Sequence, residues 1–159
     1  MTLEPRPFLG RLHPLRLDRQ PLPLFLDRRG FSLREDLLPQ ADPVFEGWYG
    51  DRLWVLLRRI LPLWTHRMGV RPRSVSVKPL RSRWGSCGIH GDLSFSSSLA
   101  RVAPDLVEYV AVHELAHLVH RNHRREFWDL VASCLPDLPE RRARLRDPSF
   151  LPPRRERGR

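Results

Sequence analysis

His113, Glu114 and His117, with His123 six residues further on, are the residues of this chain whose types and spacing can do chemistry together. Positions four apart on a helix lie on one face, about one turn from each other. His113 and His117 can therefore hold a single metal ion between their imidazoles, at the roughly 2.0–2.1 Å of a zinc–nitrogen bond. Glu114 sits about 100° around the helix from His113. That is outside the ligand row but within reach of a water on the metal. The segment His113-Glu114-Leu115-Ala116-His117 thus has the HExxH spacing of two ligands and one general base.

A third ligand must come from another direction. If the helix continues, His120 stands on the same face but roughly 10 Å up the axis from His113. Three ligands along one line do not occupy three corners of a tetrahedron. His123, behind the helix-breaking Asn122, can swing back over the helix face and supply that corner. His123 is the expected third ligand, with His120 and the downstream acid Glu126 as alternatives, and His120 is otherwise free to face substrate. His13, His66 and His90 are scattered and read as surface or structural residues.

The elements that must position these groups follow from patterning. Pro104 opens a helix in which Leu106 to Val119 is apolar on most of its surface, the signature of a central, buried helix. Polar His113, Glu114 and His117 inside it need partners. Ahead of it, Ser74 to Lys78 alternates polar and apolar and reads as a strand. Arg81 to Ser86 and Leu93 to Ser96 read as two more, joined by a turn through Gly88-Ile89-His90-Gly91-Asp92.

Asp42-Pro43 reads as an N-cap followed by Pro at the first helical position. The apolar set Phe45, Trp48, Tyr49, Leu53, Leu56, Leu57, Ile60, Leu63 and Trp64 then approximates a 3.6 period. Pro62 should kink or divide this long helix, and Gly69 ends it. After Asn122 a further helix is expected from about Arg124 to Leu135, stopped by Pro136. Residues 1–41 are rich in Pro, Leu and Arg, and short extended pieces such as Leu22 to Leu26 are the most they promise. The organisation is therefore an N-terminal segment (1–41), a core (42–138) and a basic tail (139–159), with Phe150 onward read as disordered.

At 159 residues the chain is one domain by length. Its most apolar stretch, Leu53 to Trp64, is interrupted by Arg58 and Arg59 and is shorter than the roughly 20 residues of a membrane span. The N-terminus lacks a secretory pattern, and Cys87 and Cys134 make no disulfide framework, so a cytoplasmic protein is expected. Every basic residue but Lys78 is Arg, within a net charge of +10. Such a surface attracts polyanions without specificity, and no nucleic-acid reading module accompanies it.

Arg83-Trp84-Gly85-Ser86-Cys87, the strand at Leu93, Pro104, Tyr109-Val110 leading into the His-Glu-Leu-Ala-His segment, Asn122-His123 and Phe127-Trp128 occur here in one order. In this they resemble the YgjP-like metallopeptidase family, which is related to SprT-type and minimal gluzincin-like zinc proteases. The resemblance runs from about Asp42 to Leu138. It implies a compact α+β fold of minimal zincin type, in which a small sheet flanks the central active-site helix beside a long N-terminal and a C-terminal helix. It also implies a metal site of His113, His117 and His123 with Glu114 catalytic. The β region that opens the family is short and Pro-rich here, and Arg124 follows His123 where a small polar residue is usual.

The expected activity is a zinc-dependent metallohydrolase of metallopeptidase type acting on a peptide or protein, with Ni2+ or Mn2+ as other occupants of three imidazoles. Arg81, Arg83 and Ser86, on a strand bordering the cleft, are candidates for binding extended peptide by strand addition or phosphate through guanidinium groups. Hence a second expectation, again from the resemblance, is a nucleotide (UTP) pyrophosphohydrolase acting on a nucleoside triphosphate. A non-catalytic nucleic-acid-associated zinc module is the third. Three good ligands plus an acid suit it less, since structural zinc sites are usually closed by four.

Overall fold

Six prolines keep the first forty residues out of α-helix, with a 3-10 segment at Glu35–Gln40. In the computed structural model, which describes residues 3–146, much of this stretch forms short strands instead. β1 (Arg6–Phe8) and β2 (Arg11–His13) make an antiparallel hairpin. β3 (Leu15–Asp18) runs parallel to β5 (Gly30–Arg34), whose other side pairs antiparallel with β4 (Leu24–Asp27). This is more strand than the sequence promises. Pro14, Pro21 and Pro23 lie between strands and Pro7 in a two-stranded hairpin, positions where a missing N–H breaks little of a ladder. The central strand β5 buries Phe31 and Leu33 completely.

α1 (Ala41–Met68) is the long helix. Its buried stripe, Phe45, Tyr49, Leu53, Leu57, Leu61 and Trp64, recurs every three or four residues, as an amphipathic helix requires. The stripe docks the N-terminal strands: Phe45 and Trp48 meet Phe31 edge-on, and the Tyr49 hydroxyl donates to the Pro7 carbonyl at 2.6 Å. The helix begins two residues earlier than Asp42-Pro43 suggests, and Asp42 pairs with Arg6 at 3.0 Å instead of capping. Pro62 does not divide it. Arg58, whose carbonyl loses a partner there, faces solvent, so water can take the bond. Gly69 closes the helix in the left-handed conformation, φ 64°, which glycine adopts without penalty.

β6 (Ser74–Lys78), β7 (Gly85–Cys87) and β8 (Asp92–Ser96) form a three-stranded sheet in the order β6-β8-β7. The expected strand over Arg81–Ser86 survives only from Gly85, so Arg81 and Arg83 lie in the loop that leads to the sheet edge. Leu93 and Phe95 of the central strand are buried against the helices. α2 (Pro104–Ala116) opens with Pro at its first turn and is buried along most of its length, with Val107, Ala111, Val112, Leu115 and Ala116 fully covered.

α3 (Arg125–Cys134) and α4 (Leu138–Leu145) complete the described chain. α4 occupies the start of the stretch read from sequence as a basic tail, and it is held by ions. Arg141 bonds Glu108 and the Asp105 carbonyl of α2, each at 2.8 Å, and Arg144 pairs with Asp105. Glu108 also accepts from the Trp64 indole at 2.9 Å, so one carboxylate joins α1, α2 and α4. The expectation of disorder from Phe150 onward lies outside the described residues. Among the described residues no helix is long and apolar enough to cross a membrane.

Candidate metal centre

α2 ends at Ala116, three residues short of the expected Val119, and this early stop shapes the site. His113 still projects from the helix, while His117 is its C-cap. The chain then folds through a tight turn, with the His120 amide donating to the Ala116 carbonyl at 2.9 Å, and returns to bring His123 over the helix end. The His123 Nε2 lies 3.1 Å from the Nε2 of His117 and 3.1 Å from that of His113. Among the described residues, these three form the cluster of groups able to hold a metal ion. Three nitrogens bound tetrahedrally to one ion at about 2.05 Å sit about 3.3 Å apart. The two distances from His123 match that spacing within a few tenths of an ångström, and all three ligand atoms lie within 4.8 Å of one another.

His120 enters through its backbone. The His117 Nδ1–H donates to the His120 carbonyl at 3.0 Å, and because a carbonyl can only accept, this bond fixes the tautomer that leaves the Nε2 lone pair facing inward. Aromatic walls hold the rings. Phe127, fully buried in α3, stacks on His117 at 4.5 Å and meets His113 edge-on at 4.9 Å. Trp128 lies parallel to His123 at 5.8 Å. Burial, reinforced by the two neighbouring imidazoles, drives His113 down to about 3, so at neutral pH it is uncharged and able to donate its lone pair. His117 is lowered for the same leading reason.

Glu114 faces β7 and is 5 % exposed. Burial pushes its carboxyl up to about 7, against the pull of the Arg83 guanidinium. It fits there because residue 85 has no side chain. A Cβ at Gly85 would stand 2.9 Å from both Cγ and Oε1 of Glu114. Gly85 and Cys87 alternate with Ser86, whose backbone pairs with Ser94 while its side chain takes the opposite, serine-lined face with Ser94 and Ser76. In antiparallel pairing the Ser96–Trp84 and Gly88–Asp92 bonds mark the bonded positions, which turns the amides of Gly85 and Cys87 outward along the free edge.

The fold thus brings together His113, His117, His123 and Glu114, with Arg83 near the acid and Arg81 exposed further along the loop. It does not bring the His120 ring or the Ser86 side chain into the constellation. Phe127 and Trp128, read from sequence as part of the family motif without a role at the site, form its walls, and two arginines carry no sequence signal. Arg142 of α4 lies 3.9 Å above the Trp128 ring, and Arg121 lies beside the Cys87 thiol. The aromatic pair was legible from its place four and five residues after His123. Arg142 was not, since nothing in the sequence ties α4 to this site.

The chain matches the family described as YgjP-like, metallopeptidase domain, over residues 2–148. Its fold is similar to two solved metallopeptidase zymogens, abylysin of Pyrococcus abyssi and jannalysin of Methanocaldococcus jannaschii. The first is 21% identical with a TM-score of 0.51, over 56% of this chain and 90% of that one. The second is 16% identical with the same TM-score, over 56% of this chain and 92% of that one. At these identities the likeness is one of fold. No curated protein matches the chain.

Proposed function

The chain belongs to the YgjP-like metallopeptidase family, and from that membership, which makes it a metal-dependent hydrolase, we propose a zinc-dependent peptidase using His113, His117 and His123 as ligands and Glu114 as general base. The observation that carries the reading is the convergence of three Nε2 atoms at the end of α2, the helix that carries the buried Glu114 next to His113. Three imidazoles suit zinc, and three protein ligands leave the fourth position that a catalytic site keeps open. When bound, zinc supplies Lewis acidity, polarising the scissile carbonyl and making water a better nucleophile.

The remaining work falls to the protein. Glu114 takes the proton of the attacking water and returns it to the leaving amine, which needs a carboxyl that changes protonation state near neutral pH. Its burial and the absence of a side chain at Gly85 support that role. The outward amides of Gly85 and Cys87 offer an extended peptide an added strand, bringing its scissile carbonyl past Glu114. Arg81 and Arg83 stand at the approach to this edge, and the His120 carbonyl holds the His117 ring for metal.

Arg83 beside the base also suits a nucleoside triphosphate, the second activity expected from the sequence. The test is protein reconstituted with one equivalent of zinc, assayed against an internally quenched peptide library and against UTP. Cleavage of peptides with no pyrophosphate release supports the peptidase, and pyrophosphate release without peptide cleavage replaces it with the nucleotide reading.

A further inference from the structure

Three arginines from three separate segments surround the proposed metal centre, and none makes an ion pair among the described residues. Arg83 lies two residues before Gly85, in the loop that leads to the free strand edge, and acts on Glu114. Arg121 lies two residues before His123 and reaches across to Cys87 on the same edge strand. Arg142 caps the ring of Trp128, whose plane parallels His123.

An Arg-rich chain puts arginines everywhere. Among the described residues Arg6, Arg16, Arg19, Arg34, Arg73, Arg125, Arg141 and Arg144 each hold a carboxylate within 4 Å, while others, such as Arg52, Arg58, Arg59 and Arg67 of α1, hold none, so what sets these three apart is their convergence on one centre from three segments. The acids nearest the centre are already engaged: Asp92 with Ser74 and Arg73, Asp129 with Arg125, Asp105 and Glu108 with α4. Glu126 in the first turn of α3 and Glu140 in the first turn of α4, both exposed, are in no ion pair among the described residues. The centre is therefore a cationic rim around one buried acid, with low-dielectric aromatic walls that strengthen its field.

We infer that the peptide bound here is acidic, with carboxylates flanking the scissile bond paired to Arg83 on the strand-edge side and to Arg121 and Arg142 around the metal. The inference rests on the peptidase reading and names its substrate class. Bidentate pairing with guanidinium groups orients a carboxylate as well as attracting it, so the arginines would set register along the edge of β7.

The test is fluorescence anisotropy with zinc-loaded Glu114→Gln protein and labelled ten-residue peptides that are Asp/Glu-rich, uncharged or Lys-rich, at low and high salt. Three partly exposed charge pairs predict about tenfold tighter binding of the acidic than the uncharged peptide at low salt, with the gap closing at high salt. The double variant Arg121→Glu/Arg142→Glu should lose the preference. Arg58→Glu/Arg59→Glu, an equal charge change on the exposed face of α1, should keep it. Equal binding of acidic and uncharged peptides overturns the inference in the unaltered protein, whatever the variants do. So does equal loss in the α1 control, which would assign the effect to overall charge. So does binding of a nucleoside triphosphate through Arg121 and Arg142 without acidic-peptide preference. Acidic peptides that bind as predicted but are not cut by the zinc-loaded native protein remove the peptidase reading, and with it the scissile-bond register, while the acidic-peptide preference of the site stands.

Discussion

Gly85→Ala isolates the positioning of the proposed base with one methyl group. Gly85 is not among the residues with positive φ, so alanine meets no backbone penalty there, and the whole effect is steric. The added Cβ would stand 2.9 Å from Cγ and Oε1 of Glu114 and 3.2 Å from Cδ. Ordinary carbon contacts begin near 3.5 Å, so the carboxylate or the strand must give by about 0.5–1 Å. Glu114 is anchored at its Cα in a buried helix, which leaves the carboxylate as the part that moves. Displacing a reacting group by about 1 Å costs about 10²-fold in rate. Overpacking of this kind costs about 1–3 kcal/mol of stability, a fall in Tm of a few degrees for a chain of this size. The assay is kcat on a cleavable peptide with zinc content and Tm measured on the same sample. A variant with full zinc, a small drop in Tm and kcat down about 10²-fold is expected. Native kcat in Gly85→Ala would refute the claim that Glu114 must sit where only glycine admits it.

Other perturbations address other parts of the account. His113→Ala, His117→Ala and His123→Ala should each lose most bound zinc by atomic absorption, while His120→Ala should retain it because only its backbone carbonyl is used. Arg141→Met strips the Glu108 carboxylate of its guanidinium partner in a half-buried setting, and should cost about 2–3 kcal/mol in urea unfolding. The Arg144 guanidinium holds Asp105 below its ordinary pKa. A depressed folded pKa contributes stability that is present above the unfolded value of about 3.9 and lost as pH falls through the folded one. Thermal melts of Asp105→Asn and the native protein should therefore differ at pH 6 and converge towards pH 2, by an amount kept small by solvent screening.

The candidate metal-binding cluster was legible because it is local. Four-residue spacing on an apolar helix, plus a histidine beyond a breaker, predicts three convergent imidazoles with no knowledge of the fold. What the sequence hides is non-local. Alternation alone puts Ser86 on the face opposite Arg81 and Arg83; what it cannot reveal is that the ladder starts at Gly85 rather than Arg81, which leaves both arginines in the loop. The strands of the first forty residues were obscured by prolines that fall between strands or, at Pro7, in a two-stranded hairpin. The early end of α2 carries no glycine or proline signal; it coincides with the bond from His117 to the His120 carbonyl. α4 reads as polar tail by composition, and only its ion pairs with Asp105 and Glu108, more than thirty residues back, explain its helix.

The most direct measurement is the turnover of one quenched peptide by native and Glu114→Gln proteins, each loaded to one zinc per chain and also stripped by chelator. The account predicts equal zinc in both loaded samples, turnover only in the loaded native protein, and a rate at least about 10²-fold lower for Glu114→Gln. Equal turnover by the two loaded proteins, or undiminished turnover after stripping, would contradict it.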